Sequence, residues 1–500
     1  MKIVNIMNFV RCIDERRENS EQYLYDMTAQ ELDIVNEFGV ENTFLLQYDA
    51  VIDERYQKLF KENATEKTEL GLWYEIVEPL ATACGIPYNS ENGWKWDWHI
   101  VPGFSMAYTP EEREKLADEA MRKFKEVFGH YPRTVASWLL DTHTICYLAE
   151  HYDISAFAIC RDQVSTDAYT LIGGYFNQAY YPSKANIFTP ARTEEMRVSV
   201  PVFRLLGPCP LHNYEGKKYL SEEIKKVGGC YTLEPVWVTG RTSEYVDSFF
   251  RTYFENESLG FAYAQLGQEN SFGPGCLPAL RMQIEKITKV EGVSIRKMGD
   301  TGEVFRKMFP DKTPATSLVA LENWDTEDMQ SAYYDCQNYT ANIIRYENRV
   351  MIRSLFLFDE RVEDLYIKDT CTTFDAVYEN LPAIDTLRAS EGEKRDCGLV
   401  LDTDAEAFCA EKVGEGALKV LWKDKSVLFE EDKITVVSDY LHFYTGNMEV
   451  LVNDNHIRYQ YKGREYALWV QNGTVRFLEN GDVEILPENG VVKILPIISH

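Results

Sequence analysis

The chain has 500 residues, 45% of them hydrophobic and 26% charged, an ordinary globular composition whose length suits about two to three domains rather than one core. Its formal net charge of -28 argues against nucleic acid and anionic membrane surfaces as partners, because both reward basic patches. No stretch reaches the ~20 apolar residues of a membrane span, and no signal-peptide core follows the opening MKIVNIMNFV. The eleven cysteines include no CxxC pair and read as small core residues, so the expectation is a cytoplasmic protein.

In chain order, KIVNIMNFV opens as a strand and LYDMTAQELDIVNEFGV follows as a helix, with Thr28 as N-cap, Glu31 completing a capping box and Gly39 as the stop. TFLLQYD is the second strand. TPEEREKLADEAMRKFKEVFG is a helix capped by Thr109, with Pro110 in its first turn and Gly129 at its end. ASWLLDTHT, the helix TICYLAEHYDI, AFAIC, VSVPVFRLLG, the helix SEYVDSFFRTYFENES and LGFAYAQLG continue the alternation. Alternating β and α implies a parallel sheet with right-handed crossovers, and about seven strands suit an incomplete barrel over residues 1–314. From 315 to 500 the runs SLVALENW, RVMIRSLFLFD, KVLWKDKSVLFE, KITVVSDYLHFY and HIRYQYKGREYALWV are divided by turns such as NDNH and ENGD. This predicts a C-terminal antiparallel β-sandwich domain.

The strand-like runs of the first part repeatedly break off at a carboxylate or histidine: Asp49, Glu75, His99, Asp141 with His143, Asp162 and Glu269. In a parallel barrel the C-terminal strand ends are where chemistry is placed, so this series points to an enzyme with a convergent polar pocket. The pair Asp141 and Glu269 suits glycoside hydrolysis, which needs one carboxyl as general acid and another as nucleophile or water-activating base. Asp141 is equally a capping candidate for the helix that follows it. Trp73, Tyr74, Trp94, Trp96, Trp98 and Phe104 cluster within some thirty residues, and flat aromatic faces suit sugar rings. Read as a strand, WKWDWH places its three tryptophans on one face and Asp97 and His99 on the other. GGYFNQAYYPSKANIF has the composition of a substrate-binding loop or a well-ordered surface loop. A metal could be held by His99, His143 or His212 with Asp14, Asp49 or Asp162, though no HxxxH or HExxH occurs. With no GxGxxG, Walker loop or GxSxG elbow, no cofactor is expected, a divalent metal being the alternative.

TFLLQYDAVID near the start, FGHYPRTVASWLLDTHTICYLAEHYDISAFAICRDQ in the middle and YAQLGQENSF further on resemble, over about residues 1–300, the glycoside hydrolase/deacetylase superfamily. The similarity is to family 57-type glycoside hydrolases and polysaccharide deacetylases. It implies a distorted seven-stranded (β/α) barrel, with a nucleophile after the fourth strand and an acid/base after the seventh, the places of Asp141 and Glu269. Such enzymes use glutamate first and aspartate second; here the types are reversed. The deacetylase branch binds zinc through an aspartate pair and an HxxxH pair. This chain has a single Asp49 after its second strand and ELGLWYE where histidines would stand.

The expected activity is therefore a glycoside hydrolase acting on a small carbohydrate or oligosaccharide, with Asp141 as nucleophile or base and Glu269 as general acid. Asp49, Glu75, Trp73, Trp98, His99, His143, Asp162 and Gln268 would bind substrate or tune those carboxyls. The alternatives are a metal-dependent carbohydrate deacetylase and a non-catalytic carbohydrate-binding protein. The sequence leaves room for a homo-oligomer.

Overall fold

Strand β1 (Lys2–Val10) is buried on both faces and organises the first half of the molecule. Ile3, Met7 and Phe9 point into one core, while Val4, Ile6 and Val10 point into another, formed with Leu32 and Val35 of the helix Ser20–Phe38. A strand with both faces covered reads as a continuous apolar run, which is why KIVNIMNFV was legible. The computed structural model describes residues 1–166, 169–205, 207, 209–212, 231–324, 328–374, 376–377, 379–386 and 397–498.

Around β1 run β2 (Asn42–Leu46), β3 (Thr68–Trp73), β4 (Thr134–Ala136) and β5 (Ala156–Cys160). The hairpin β6 (Gln163–Thr166) and β7 (Tyr169–Leu171) follows, then β8 (Ala179–Tyr180), β9 (Val202–Leu205), β10 (Ala262–Leu266) and β11 (Val293–Arg296). Apart from the hairpin they form one nine-stranded sheet, ordered β10-β1-β2-β3-β4-β5-β9-β8, with β11 also paired to β1. Seven strands run parallel in series from β10 to β9; β8 is antiparallel to β9, and β11 lies parallel beside the first half of β1. The expected count of seven is thus exceeded by two short strands, which are too brief to stand out as apolar runs. Among the described residues no backbone pairing joins β9 to β10. Instead Phe203 of β9 and Tyr263 of β10 meet with ring centroids 5.3 Å apart, so the curled sheet closes through side chains.

The helix Pro110–Phe128 is capped by Thr109 as expected, the cap extending to a capping box with Glu112, and it has Pro110 in its first turn and Gly129 at φ 85° past its end. The helix Ser20–Phe38 begins well before the expected cap: Thr28 lies inside it and donates to the Leu24 carbonyl. Gly39, at φ 60°, ends it as expected. WKWDWH is not a strand; it is irregular backbone, so the expected alternation fails and Trp96 and Asp97 are both buried.

The remaining described strands form antiparallel sheets of nine and eight strands. In the first of them, β12 (Thr316–Ala320), β13 (Met329–Asp335), β14 (Tyr339–Tyr346) and β15 (Arg349–Leu357) are covered on both faces. Leu318, Met329, Tyr333 and Ile344 pack with Phe249, Phe250 and Tyr253 of the helix Ser243–Phe254, whereas Val319, Ala332, Tyr334 and Ile343 pack against the second antiparallel sheet. The segment GGYFNQAYYPSKANIF is buried in this contact rather than open for substrate: Phe176 stacks on Tyr333 at 3.8 Å, and Asn177 donates to the Ser317 carbonyl. The segment between residues 360 and 388 includes a 3-10 turn at Leu365–Ile367. Among the described residues no helix is long and apolar enough to cross a membrane.

A buried ion pair ties these layers together. Arg113 holds Asp141 at 2.9 Å, with both side chains inaccessible, and also donates to the backbone carbonyls of Tyr108, Tyr366 and Asp369. Removing one member of such a pair strands the other charge in the interior. Arg113→Ala is therefore expected to destabilise the protein by roughly 3–5 kcal/mol, read as a drop in the urea midpoint at unchanged slope.

Candidate active site

Four neighbouring strands, in the order β10-β1-β2-β3, deliver polar side chains just past their C-terminal ends. Arg11 follows β1, Gln47 follows β2, Glu75 follows β3, and Glu269 follows β10. The Arg11 guanidinium lies 2.8 Å from Glu269 and 4.0 Å from Glu75 through the same Nη2. Oε2 of Glu75 also accepts from Gln47 Nε2 and from the Trp96 indole, each at 2.7 Å. Oε2 of Glu269 accepts from the Ser271 hydroxyl at 3.0 Å. The Trp96 ring lies over Arg11 at 4.0 Å and over Arg16 at 4.6 Å, roofing the pair from the solvent side.

The backbone around this cluster is over-determined. Gly267 has φ +116°, and a Cβ there would come within 1.8 Å of the Met7 carbonyl oxygen, so only glycine lets β10 approach β1 this closely before Glu269. Phe9 N–H then donates to the Gln268 carbonyl. Asn270 brackets Arg11, accepting from its N–H at 3.2 Å and donating to its carbonyl at 2.8 Å. Asp49 accepts from the N–H groups of Cys12 and Ile13 at 2.9 and 2.7 Å, so it fixes the turn that follows Arg11. A cavity of about 20 Å³ lies between Phe9, Gln265 and Gly267, next to Glu269 in the chain. That is room for about one water.

Charges are arranged unevenly here. Burial raises the Glu75 carboxyl above its ordinary range, and the like charge of Glu269 adds to this, while Arg11 and the Trp96 indole act the other way. Burial pushes Asp49 up to about 7 against its three backbone donors. Behind Glu269, Gln268 donates to Glu31 at 2.7 Å. Burial, with the Glu269 charge adding to it, pushes Glu31 up to about 8 against that hydrogen bond.

The other residues expected at the site sit elsewhere or act differently. Asp141 caps the helix Thr142–His151 by accepting from the Thr144 N–H, and its oxygens also take Ser105, the Thr144 hydroxyl and Arg113. It shares none of these partners with Glu269, and the capping role describes its contacts. His143 is on the same helix and faces Glu114 at 3.1 Å. Asp162 pairs with Arg204 at 2.8 Å and accepts from the Gly173 and Gly174 N–H groups, which makes it an anchor between β5, β9 and the following loop. Trp73 is buried and stacks on Phe9 at 4.3 Å, beneath the cluster. Trp98 is half-buried and stacks on His99 at 4.0 Å, and His99 is held by Asp97 at 2.6 Å. Asp14 pairs with Arg16 at 2.8 Å, and His212 lies 3.3 Å from Cys209.

These histidines and aspartates do not converge. Among the described residues no group of three or more histidine, cysteine, aspartate or glutamate side chains is placed to hold a metal ion. Asp49 already has its oxygens on backbone N–H groups, so among the described residues it is committed to holding the turn after Arg11. Arg11, Gln47 and Glu31 were not anticipated as site residues from sequence, and Trp96 was expected only as one member of the aromatic cluster. Arg11 had a usable signal, since it ends the first apolar run as Glu75 and Glu269 end theirs.

No family model matches the chain, and no curated protein matches its sequence. Among solved structures it is similar to a candidate glycoside hydrolase/deacetylase from Parabacteroides distasonis, at 14% identity and a TM-score of 0.53, over 79% of this chain and 95% of the other. A candidate polysaccharide deacetylase from Mycobacterium smegmatis aligns at 15% identity and a TM-score of 0.37, over 61% and 91%. A GH57 branching enzyme from Thermococcus kodakaraensis aligns at 10% and 0.28, over 60% and 70%. The fold is of the glycoside hydrolase/deacetylase type.

Glu31 gives the site a pH signature. Its carboxyl binds a proton more tightly folded than unfolded, so its contribution is present below about 4.5 and is lost as pH rises towards about 8. Glu31→Gln is expected to flatten the fall in stability between those limits and to leave the variant at least as stable as wild type at pH 8, measured as urea midpoints across the range.

Proposed function

We propose that the chain is a carbohydrate-active enzyme that cleaves a glycosidic bond with Glu75 and Glu269. The observation that supports this most directly is the buried Arg11 guanidinium between two carboxylates delivered by different strand ends. Glycoside hydrolysis divides its work between a protonated carboxyl and an ionised one, and environments that push two such groups apart assign the roles. Glu75 is the general acid, because its burial favours the protonated form. Glu269, in direct contact with Arg11 at 2.8 Å, is the carboxylate that attacks the anomeric carbon or activates water. Gln47 and the buried Trp96 indole orient Glu75 by donating to its Oε2. Sugar identity, retention or inversion, and exo or endo action stay open in this reading.

The deacetylase alternative needs a metal-ligand set, and the aspartates and histidines described above are committed to other partners. Glu269→Gln and Glu75→Gln are each expected to reduce turnover of a responsive aryl glycoside by about 10²–10⁴-fold, with far-UV circular dichroism retained and the thermal midpoint lowered, because each removes a counter-charge of the buried Arg11. Wild-type-like turnover in Glu269→Gln would remove it from the chemistry.

A further inference from the structure

One cavity is lined by none of the strand-end residues described above. It measures about 260 Å³ and opens between β16 (Leu381–Asp385), the turn at 445–449 and the hairpin His456–Tyr461/Arg464–Gln471 of the second antiparallel sheet. Tyr459, Tyr461 and Tyr466 line it together with Asn447, Glu449 and Gln460. Tyr459 and Tyr466 are direct cross-strand partners whose rings stack at 5.1 Å and 11°. Tyr466 is fixed by donating to the Pro382 carbonyl at 2.7 Å. Tyr459 is 4% exposed, and its hydroxyl has no hydrogen-bond partner among the described residues. Buried polar groups are normally satisfied, and those left over in a cavity wall point to a missing polar partner.

We infer that this cavity is a second, non-catalytic binding site for one ring of a neutral sugar. Tyrosine faces match the apolar C–H surface of a pyranose, and the Asn447 and Gln460 amides both donate and accept, as sugar hydroxyls require. Among the described lining residues there is no cation, and Glu449 and Asp385 contribute negative charge, so phosphate, sulfate or carboxylate ligands find no counter-ion. The volume is just under the ~300 Å³ at which ordinary small-molecule sites begin, which suits a single ring. Asn447, Glu449 and Gln460 are exposed, so the rest of an oligosaccharide can run outward over the rim. The proposal does not rest on the chemistry assigned to Glu75 and Glu269.

The test is saturation-transfer NMR followed by calorimetry on the full chain, with glucose, galactose, mannose, xylose, N-acetylglucosamine, maltose and cellobiose as probes and tetramethylammonium as the cationic control. The expected result is binding of at least one neutral sugar at a Kd of about 1 mM or tighter, weakened tenfold or more by Tyr461→Ala and by Gln460→Ala. Both variants change half-buried or exposed side chains, and unchanged thermal midpoints would confirm that they fold. The affinity should be unaltered in Glu269→Gln, which keeps Glu75 beside Arg11 and whose fold is checked by circular dichroism, and this separates the site from the strand-end cluster. No sugar binding, binding that disappears in folded Glu269→Gln but survives Tyr461→Ala, or binding of tetramethylammonium alone would each overturn the proposal.

Discussion

A guanidinium that is 3% exposed at the end of the central strand must be neutralised, and much of the architecture follows from that requirement at Arg11. Strand β1 is flanked by β10 on one side and β2 on the other, so the counter-charges come from Glu269 beside it and from Glu75 one strand further on. The same cation lowers the repulsion that two carboxylates would otherwise suffer in a low-dielectric interior. Asn270 and Asp49 hold the backbone on either side of it, and Trp96 covers its face. With Glu31 behind Gln268 and Asp49 beside the turn, the cluster holds four buried acids against one buried base, and burial shifts Glu31, Asp49 and Glu75 towards their protonated forms.

The parallel strands could be recognised from sequence because burial on both faces leaves continuous apolar runs, as in KIVNIMNFV and AFAIC. The N-cap at Thr109 was readable for a different reason: its partners are three residues apart, and local chemistry suffices. Thr28 and Glu31 showed the same spacing and meant something else. Helical propensity extended the helix back to Ser20, leaving Thr28 bonded to Leu24 and Glu31 facing Gln268. For Asp141, a cap and a catalytic carboxylate look identical in sequence. The distinguishing partner, Arg113, lies 28 residues earlier, and it is pinned in turn by carbonyls more than 250 residues later.

Trp96 illustrates a second limit. The alternation in WKWDWH has strand periodicity, yet no neighbouring strand is available to pair with it. The segment is instead tied to the loop after β1 through Glu15, which accepts from the N–H groups of Lys95 and Trp96. Irregular backbone held by such tertiary contacts carries no period, so the indole that reaches Glu75 could not be told from its neighbours Trp94 and Trp98.

The sheet β12–β15 belongs to two cores at once, and this bears on the order in which the chain can mature during synthesis. Phe176 has no stacking partner until Tyr333 has been made, and Arg113 cannot complete its hydrogen bonds until residues 366 and 369 exist. The outer layer around the helix Ser243–Phe254 likewise waits for Leu318 and Met329. The nascent N-terminal half must therefore leave the ribosome with apolar surface exposed over more than a hundred further residues, a window in which a holdase-type chaperone would find its binding site.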